Sequence, residues 1–258
     1  MDTKAPVFLV PTTSGTGSEC TRVAIISIPD QNGKWSVFVN TTLAIVDPEL
    51  TVSLPQTQTV NTGLDALAHA MEGMTSLDWN YHSDLFGEAA IKKISKHLRT
   101  AYNEPGNIEA RSEMALAANW GGLAFNDPLT HVGHAMADAF SVHFHTAHGF
   151  GCAIALPETM ALVAPAAPDK IRTIASAMGL QYSESDSSEA IGQKVADEIR
   201  SMMRDMNMKS LRDTGYSKEE IVGLYPDVVG SHLSNHCPVK ITDDVAKKLL
   251  SDVYDTYQ

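Results

Sequence analysis

Cysteine is scarce in this 258-residue chain: Cys20, Cys152 and Cys237 are odd in number, far apart and never in a CxxC pair. That excludes a disulfide framework and a structural zinc knot, and makes a reducing cytoplasm the expected setting. Long apolar runs are missing too. The longest candidate, GCAIALPETMALVAPAAP, is broken by three prolines and a glutamate, so no membrane span is expected. The N-terminal MDTKAPVFLV lacks the basic start and long apolar stretch of a signal peptide. Positive charge is in short supply, with 19 Lys and Arg against 31 Asp and Glu and a net charge of −12. A nucleic-acid backbone or an anionic membrane is therefore not an expected partner. Neither a GKS/T phosphate loop nor a GxGxxG fingerprint occurs.

What is present is globular in composition, with 43% hydrophobic and 19% charged residues. The first part reads as β-structure. VFLV at 7–10 predicts a short buried strand ending at Pro11, and VAIISI, WSVFVN and LAIVD predict three more, with a turn at PDQNGK. After SLPQTQTV the pattern becomes helical. Asn61 or Thr62 is a candidate cap for a helix through DALAHAMEGM. Amphipathic helices are predicted for SDLFGEAAIKKISKHLRTAY, for Ile108 through ARSEMALAANWGGLAF, and for PDKIRTIASAMGL, SEAIGQKVADEIRSMMRDM, SKEEIVGLYPDVVG and TDDVAKKLLSDVYDTY. The expectation is a mainly α protein: a β-rich portion over 1–55 and an all-helical portion over 56–258, with the boundary between Ser53 and Thr59.

Two features bear chemistry. PTTSGTGSE is dense in Thr, Ser and Gly. It is an ordinary flexible loop or a cradle in which backbone N–H groups and hydroxyls approach a nucleotide. Asp65 and His69 lie four apart, hence on one face of a helix, among Leu64, Ala66, Leu67, Ala68, Ala70 and Met71. A carboxylate and an imidazole in so apolar a setting need a compensating partner, and a metal ion is one. Further donors are offered by His131, His134, His143, His145 and His148. Spacing leaves the choice open, because His131 to His145 and His134 to His148 both span fourteen residues. One oxygen and three nitrogens suit Fe(II), Zn(II), Co(II) or Mn(II).

Taken in order, PTTSGTGSE, AIVDPEL, GLDALAHAMEG and HTAHGFGCAIALP resemble the iron-containing (group III) alcohol dehydrogenases. Glycerol dehydrogenases and, more distantly, dehydroquinate synthases are relatives of that family. The likeness runs from about Pro6 to the end of the chain. It implies a metal set of Asp65, His69, His134 and His148, the last within Ala147-His148-Gly149. His131, His143 and His145 then either support the ligands from behind or have structural roles. Fe(II) is the implied ion, with Zn(II) as the alternative. The resemblance also implies that Thr12, Thr13 and Thr16 contact NAD or NADP and that Lys34, twenty-one residues after Thr13, bonds the nicotinamide ribose. In the plainer reading Lys34 is only a hairpin charge after Asn32-Gly33. The implied reaction oxidises a small alcohol to an aldehyde or ketone, or runs in reverse; a homodimer is left open.

Three departures qualify these expectations. The family's Rossmann-like half carries GGGSxxD, which holds the dinucleotide pyrophosphate, and that motif occurs nowhere in these residues. The β-rich portion is accordingly expected to be a remnant of that α/β domain, with weakened NAD(P) affinity. The competing expectation is a catalytically impaired metal-binding homologue. Four residues after His134, where many members have a histidine, stands Asp138; a carboxylate there also accepts a proton. In NHCPVKIT, Val239 stands at the place of a family arginine.

Overall fold

The computed structural model describes residues 5–28, 33–39 and 41–257. Among the described residues, four strands precede ten α-helices. β1 (Phe8–Leu9) pairs in parallel with β4 (Leu43–Ala44), placing Phe8 beside Leu43. β2 (Val23–Ile28) and β3 (Gly33–Phe38) form an antiparallel ribbon in which Val23 faces Phe38. The segment expected to be a buried strand is corrected here: β1 is only two residues long, and Phe8 is 58% exposed. With a single partner strand, its apolar side chains find no second layer among the described residues. The PDQNGK turn lies largely outside the described residues.

The helical part is built around α1 (Gln56–Thr75). Leu64, Ala66, Leu67, Ala68, Ala70, Met71 and Met74 are fully buried. These residues cover more than one face, so α1 is a central helix and not an amphipathic surface one. It starts nearly two turns earlier than the Asn61 or Thr62 cap suggested, with Pro55 as the capping residue. Proline is pre-set for a helix entry, and its missing N–H has no intrahelical use there.

Other helices wrap this axis. α2 (Tyr81–Asn103) is capped by Asn80, whose side chain accepts from Ser83 N while Ser83 Oγ accepts from Asn80 N. It buries Ala90, Ile91, Ile94, Leu98 and Ala101, a 3.6-residue stripe. α3 (Ile108–Phe125), α4 (Val132–Phe144) and α5 (His148–Val163) complete the first layer. α6 (Pro168–Ala177) and α7 (Ser188–Asp205) follow, and α7 turns Ile191, Val195, Ile199, Met202 and Met203 inward. The stretch SKEEIVGLYPDVVG forms two short helices, α8 (Lys218–Val222) and α9 (Tyr225–Gly230), and not one. Gly223 separates them and Pro226 is confined to the first turn of the second. α10 (Asp243–Thr256) closes the domain. Burying a side chain such as Leu64 or Leu67 contributes about 1.5–3 kcal/mol, so the core rests chiefly on α1 and its neighbours. No helix among the described residues is long and apolar enough to cross a membrane.

Candidate metal centre

Three helices bring the donors together. Asp65 and His69 project from the middle of α1, His134 from the first turn of α4, and His148 from the first residue of α5. His145 ends α4 in the left-handed region (φ 53°), so the chain reverses between the two histidine-bearing helices. Close approach of α5 to α1 depends on Gly149. A β-carbon there would lie 2.7 Å from the Asn61 carbonyl oxygen, on the turn just before Asp65.

The geometry converges on one oxygen. Asp65 Oδ1 lies 3.9 Å from His69 Nε2, 3.7 Å from His134 Nε2 and 3.9 Å from His148 Nε2. These separations are too long for hydrogen bonds. They are close to the ~3.4 Å between donors held about 2.1 Å from a tetrahedral ion. Asp65 Oδ1 and His134 Nε2, which both face the cluster, are buried and make no hydrogen bond. Leaving such groups without partners costs about 1–3 kcal/mol each. An ion would satisfy the donors aimed into the cluster, so the residues present fit one. A carboxylate with imidazoles suits Fe(II) or Zn(II).

Electrostatics divide the cluster. Burial pushes the Asp65 carboxyl up, but His69, His148 and His134 around it hold it below the usual range. Burial drives His69 down to about 4, which keeps it neutral at neutral pH. Its ring stacks on Phe125 with centroids 4.3 Å apart. For His134, burial lowers the pKa while Glu72 raises it, and the net direction is upward. The side chains of His148 and Asp138 are each 36% exposed, so solvent reaches the cluster from their side.

Glu72 was present in the quoted motif but had no role assigned from sequence. It is completely buried; Oε1 accepts from His134 Nδ1 at 2.8 Å and Oε2 from the His131 backbone N–H at 2.6 Å. Against the cost of burial, His134 and His131 pull its pKa down to about 2. An ionised Glu72 can only accept, so His134 must donate through Nδ1 and turn Nε2 toward Asp65. The legible signal was a lone glutamate in an apolar helix, three residues after His69. Cys152 was also passed over. It sits four residues after His148, and the donor atoms of Asp65, His134, His148 and Cys152 all lie within 4.8 Å of one another.

The remaining histidines are placed elsewhere. His131 is fully buried, with Nε2 2.9 Å from Thr75 Oγ1 and Nδ1 3.2 Å from Glu72 Oε2. His143 is exposed and faces Asp227 at 3.3 Å, and His145 is exposed at the end of α4. Asp138 Oδ1 lies 3.6 Å from His148 Nδ1, at the edge of the cluster.

Of the nucleotide-loop candidates, Thr12 and Thr16 are exposed and Thr13 is half-buried. Thr16 Oγ1 donates to Ser18 Oγ at 3.0 Å and accepts from Ser18 N at 3.2 Å. The loop rests on the helical part at Gly15, where a β-carbon would come within 2.6 Å of Thr62 Cβ, one turn before Asp65. Lys34 has its backbone in β3 opposite Ser27, while its side chain lies outside the described residues.

Known proteins share this fold. Residues 59–254 match the family model for the C-terminal part of Fe-containing alcohol dehydrogenases, and residues 1–48 match that for iron-containing alcohol dehydrogenase. The chain is 34% identical over 226 residues to long-chain-alcohol dehydrogenase 1 of Geobacillus thermodenitrificans, covering 87% of this chain and 57% of that protein. It is 36% identical over 187 residues to 1-propanol dehydrogenase PduQ of Salmonella typhimurium, covering 70% and 50%. The crystal structure of a 1,3-propanediol oxidoreductase superposes with a TM-score of 0.91 at 28% identity, over 96% of this chain and 66% of that one. Sulfoacetaldehyde reductase from Bifidobacterium kashiwanohense in complex with NAD+ gives 0.86 at 30% identity, over 97% and 65%. The chain thus spans little more than half the length of the relatives it matches by sequence, and it belongs to the iron-containing alcohol dehydrogenase family.

Proposed function

We propose that the chain carries the metal-binding portion of an NAD(P)-linked alcohol dehydrogenase acting on a small alcohol or aldehyde. The observation that carries this reading is the convergence of three histidine Nε2 atoms on the buried Asp65 Oδ1. Asp65, His69, His134 and His148 would hold Fe(II) or, alternatively, Zn(II). When bound, such an ion supplies Lewis-acid chemistry toward an alcohol oxygen, lowering its pKa.

The chain's own residues do the rest. Glu72 fixes the His134 ring and its tautomer from behind. Gly133 leaves room for the Glu72 carboxylate, because a β-carbon there would lie 2.5 Å from Oε1. Asp138 stands beside His148 on the solvent-reachable side, where Oδ1 can take the hydroxyl proton of a substrate and pass it to water. Thr12, Thr13 and Thr16 face the nicotinamide nucleotide from the loop against α1, with Lys34 as the ribose contact. Three free thiols support a reducing cytoplasm as the setting.

Purified protein loaded with Fe(II) or Zn(II), assayed with short primary alcohols and NAD+ or NADP+, should produce NAD(P)H. No turnover at full metal occupancy overturns the dehydrogenase reading for this chain. A second reading is metal binding without nucleotide binding, since the donor cluster is formed by α1, α4 and α5 without the threonine loop. Fluorescence titration with NADH separates the two, since saturable binding rejects the second.

A further inference from the structure

Cys152 and His148 repeat on α5 the spacing that Asp65 and His69 have on α1. Four residues apart on a helix, each pair presents two donors from one face. The two faces meet at the cluster, with His148 Nε2 3.9 Å from Asp65 Oδ1. Cys152 Sγ is 3.5 Å from His148 Nε2. Donors on one ion, with a metal–sulfur bond of about 2.3 Å and a metal–nitrogen bond of about 2.05 Å, lie about 3.1–3.8 Å apart for angles between about 90° and 120°, the range of a five-donor shell. The residue is 1% exposed.

A buried free cysteine is ordinarily a small hydrophobe, and one cysteine is not a site. The cluster supplies the second observation: Asp65 Oδ1 and His134 Nε2, on residues 2% and 4% exposed, make no hydrogen bond and belong to the same compact group of donors. Cys20 differs in the kind of partner: Cys152 Sγ has the His148 ring nitrogen, whereas Cys20 has only backbone oxygens. Its Sγ donates to the backbone carbonyls of Gly17 and Asn119 at 3.0 and 3.1 Å.

We propose that Cys152 is a sulfur donor to the ion held by Asp65, His134 and His148, and that the centre therefore accepts borderline cations of the Zn(II) and Co(II) class. The inference rests on the metal reading given above and adds a ligand to it. His69, 3.9 Å from Asp65 Oδ1, is not in the compact group and completes the shell from α1. Coordination exchanges the S–H bond for a sulfur–metal bond and releases one proton to solvent. A thiolate raises the preference for Zn(II) and Co(II) over harder, oxygen-seeking ions.

The test is spectroscopic. Metal-stripped chain is reloaded with Co(II) and its absorption recorded, and the Zn(II) form is measured by X-ray absorption at the zinc edge. Wild type should show visible ligand-field bands together with a near-ultraviolet thiolate-to-cobalt band, and a zinc–sulfur shell at about 2.3 Å. C152A and C152S should keep the visible bands and lose the near-ultraviolet band completely. Visible bands without the near-ultraviolet band in wild type overturn the sulfur donor but leave the metal site standing. A near-ultraviolet band that survives in C152A assigns it to another cysteine and also overturns the proposal. Failure to bind Co(II) or Zn(II) overturns both. The zinc-edge measurement needs no variant and decides the matter even if the substitutions impair folding.

Discussion

Glu72 Oε1 accepts a 2.8 Å hydrogen bond from His134 Nδ1, and neither side chain is more than 6% exposed. The carboxylate lies behind the imidazole, on the side away from Asp65. It sets which nitrogen carries the proton and which is presented to an ion. A buried glutamate this well partnered is worth little as net stability, but it is costly to disturb.

Replacing Glu72 by Gln should therefore weaken both metal binding and folding, because Gln keeps one acceptor oxygen where the His134 ring N–H and the His131 backbone N–H each need one. Zn(II) affinity, measured by competition with a chromophoric chelator, is expected to fall about 10–100-fold. Unchanged affinity would show that His134 is oriented by packing alone.

Gly133 precedes His134, and its missing side chain makes the space for Glu72. A β-carbon would sit 2.5 Å from Glu72 Oε1 and 3.0 Å from Thr159 Oγ1. Gly133→Ala should destabilise the fold by about 1–3 kcal/mol in urea unfolding and lower metal affinity in the same direction as Glu72→Gln. A variant as stable and as tight as wild type would mean that α4 shifts to absorb the methyl group.

Metal should stabilise the folded chain. At about 100 times its Kd, an ion adds about 2.7 kcal/mol, a rise in Tm of roughly 5–10 °C for a chain of this size. Zn(II) should produce the rise in a thermal melt of the stripped protein, and Asp65→Ala should abolish it. An equal rise in the variant would place the ion elsewhere.

The metal-free protein should lose stability on mild acidification. Burial lowers His69 from its ordinary 6.5 to about 4, so between those values the unfolded chain binds a proton that the folded chain does not. Stability then falls as pH drops through that window, by about 3 kcal/mol in all. His131 is also lowered by burial and acts in the same direction. His134 is raised, so its contribution is complete below 6.5 and is lost only as pH climbs through the raised value. Glu72, lowered from 4.5 to about 2, adds a further loss below 4.5. Urea midpoints at about pH 7 and about pH 4.5 check the sign; a higher midpoint in acid contradicts it.

Much of the fold was legible because helix periodicity is local. The stripes of α2 and α7 are written in residues three and four apart, though the Asn80 cap of α2 lies ahead of the expected start at Ser83. The start of α1 was misjudged because Pro55 caps it without a side-chain hydrogen bond, a weaker signal than Asn61 or Thr62. β1 was expected to be buried because VFLV is apolar, yet burial depends on a covering layer that no tetrapeptide encodes.

By itself the sequence determined that Asp65 and His69 share a helical face, since i, i+4 geometry needs only the backbone. The order of its four motifs carried the likeness to the iron-containing family. Choosing among histidines lay beyond spacing, because two pairs span fourteen residues. Tertiary structure separates them: His131 lies against Glu72 and Thr75, whereas His134 and His148 turn Nε2 toward Asp65. It alone set Glu72 behind His134 and Cys152 beside His148. The physical reason is that an ion site is a meeting of three helices in a buried volume, and the directions of side chains from separate helices are decided by packing, not by their positions along the chain.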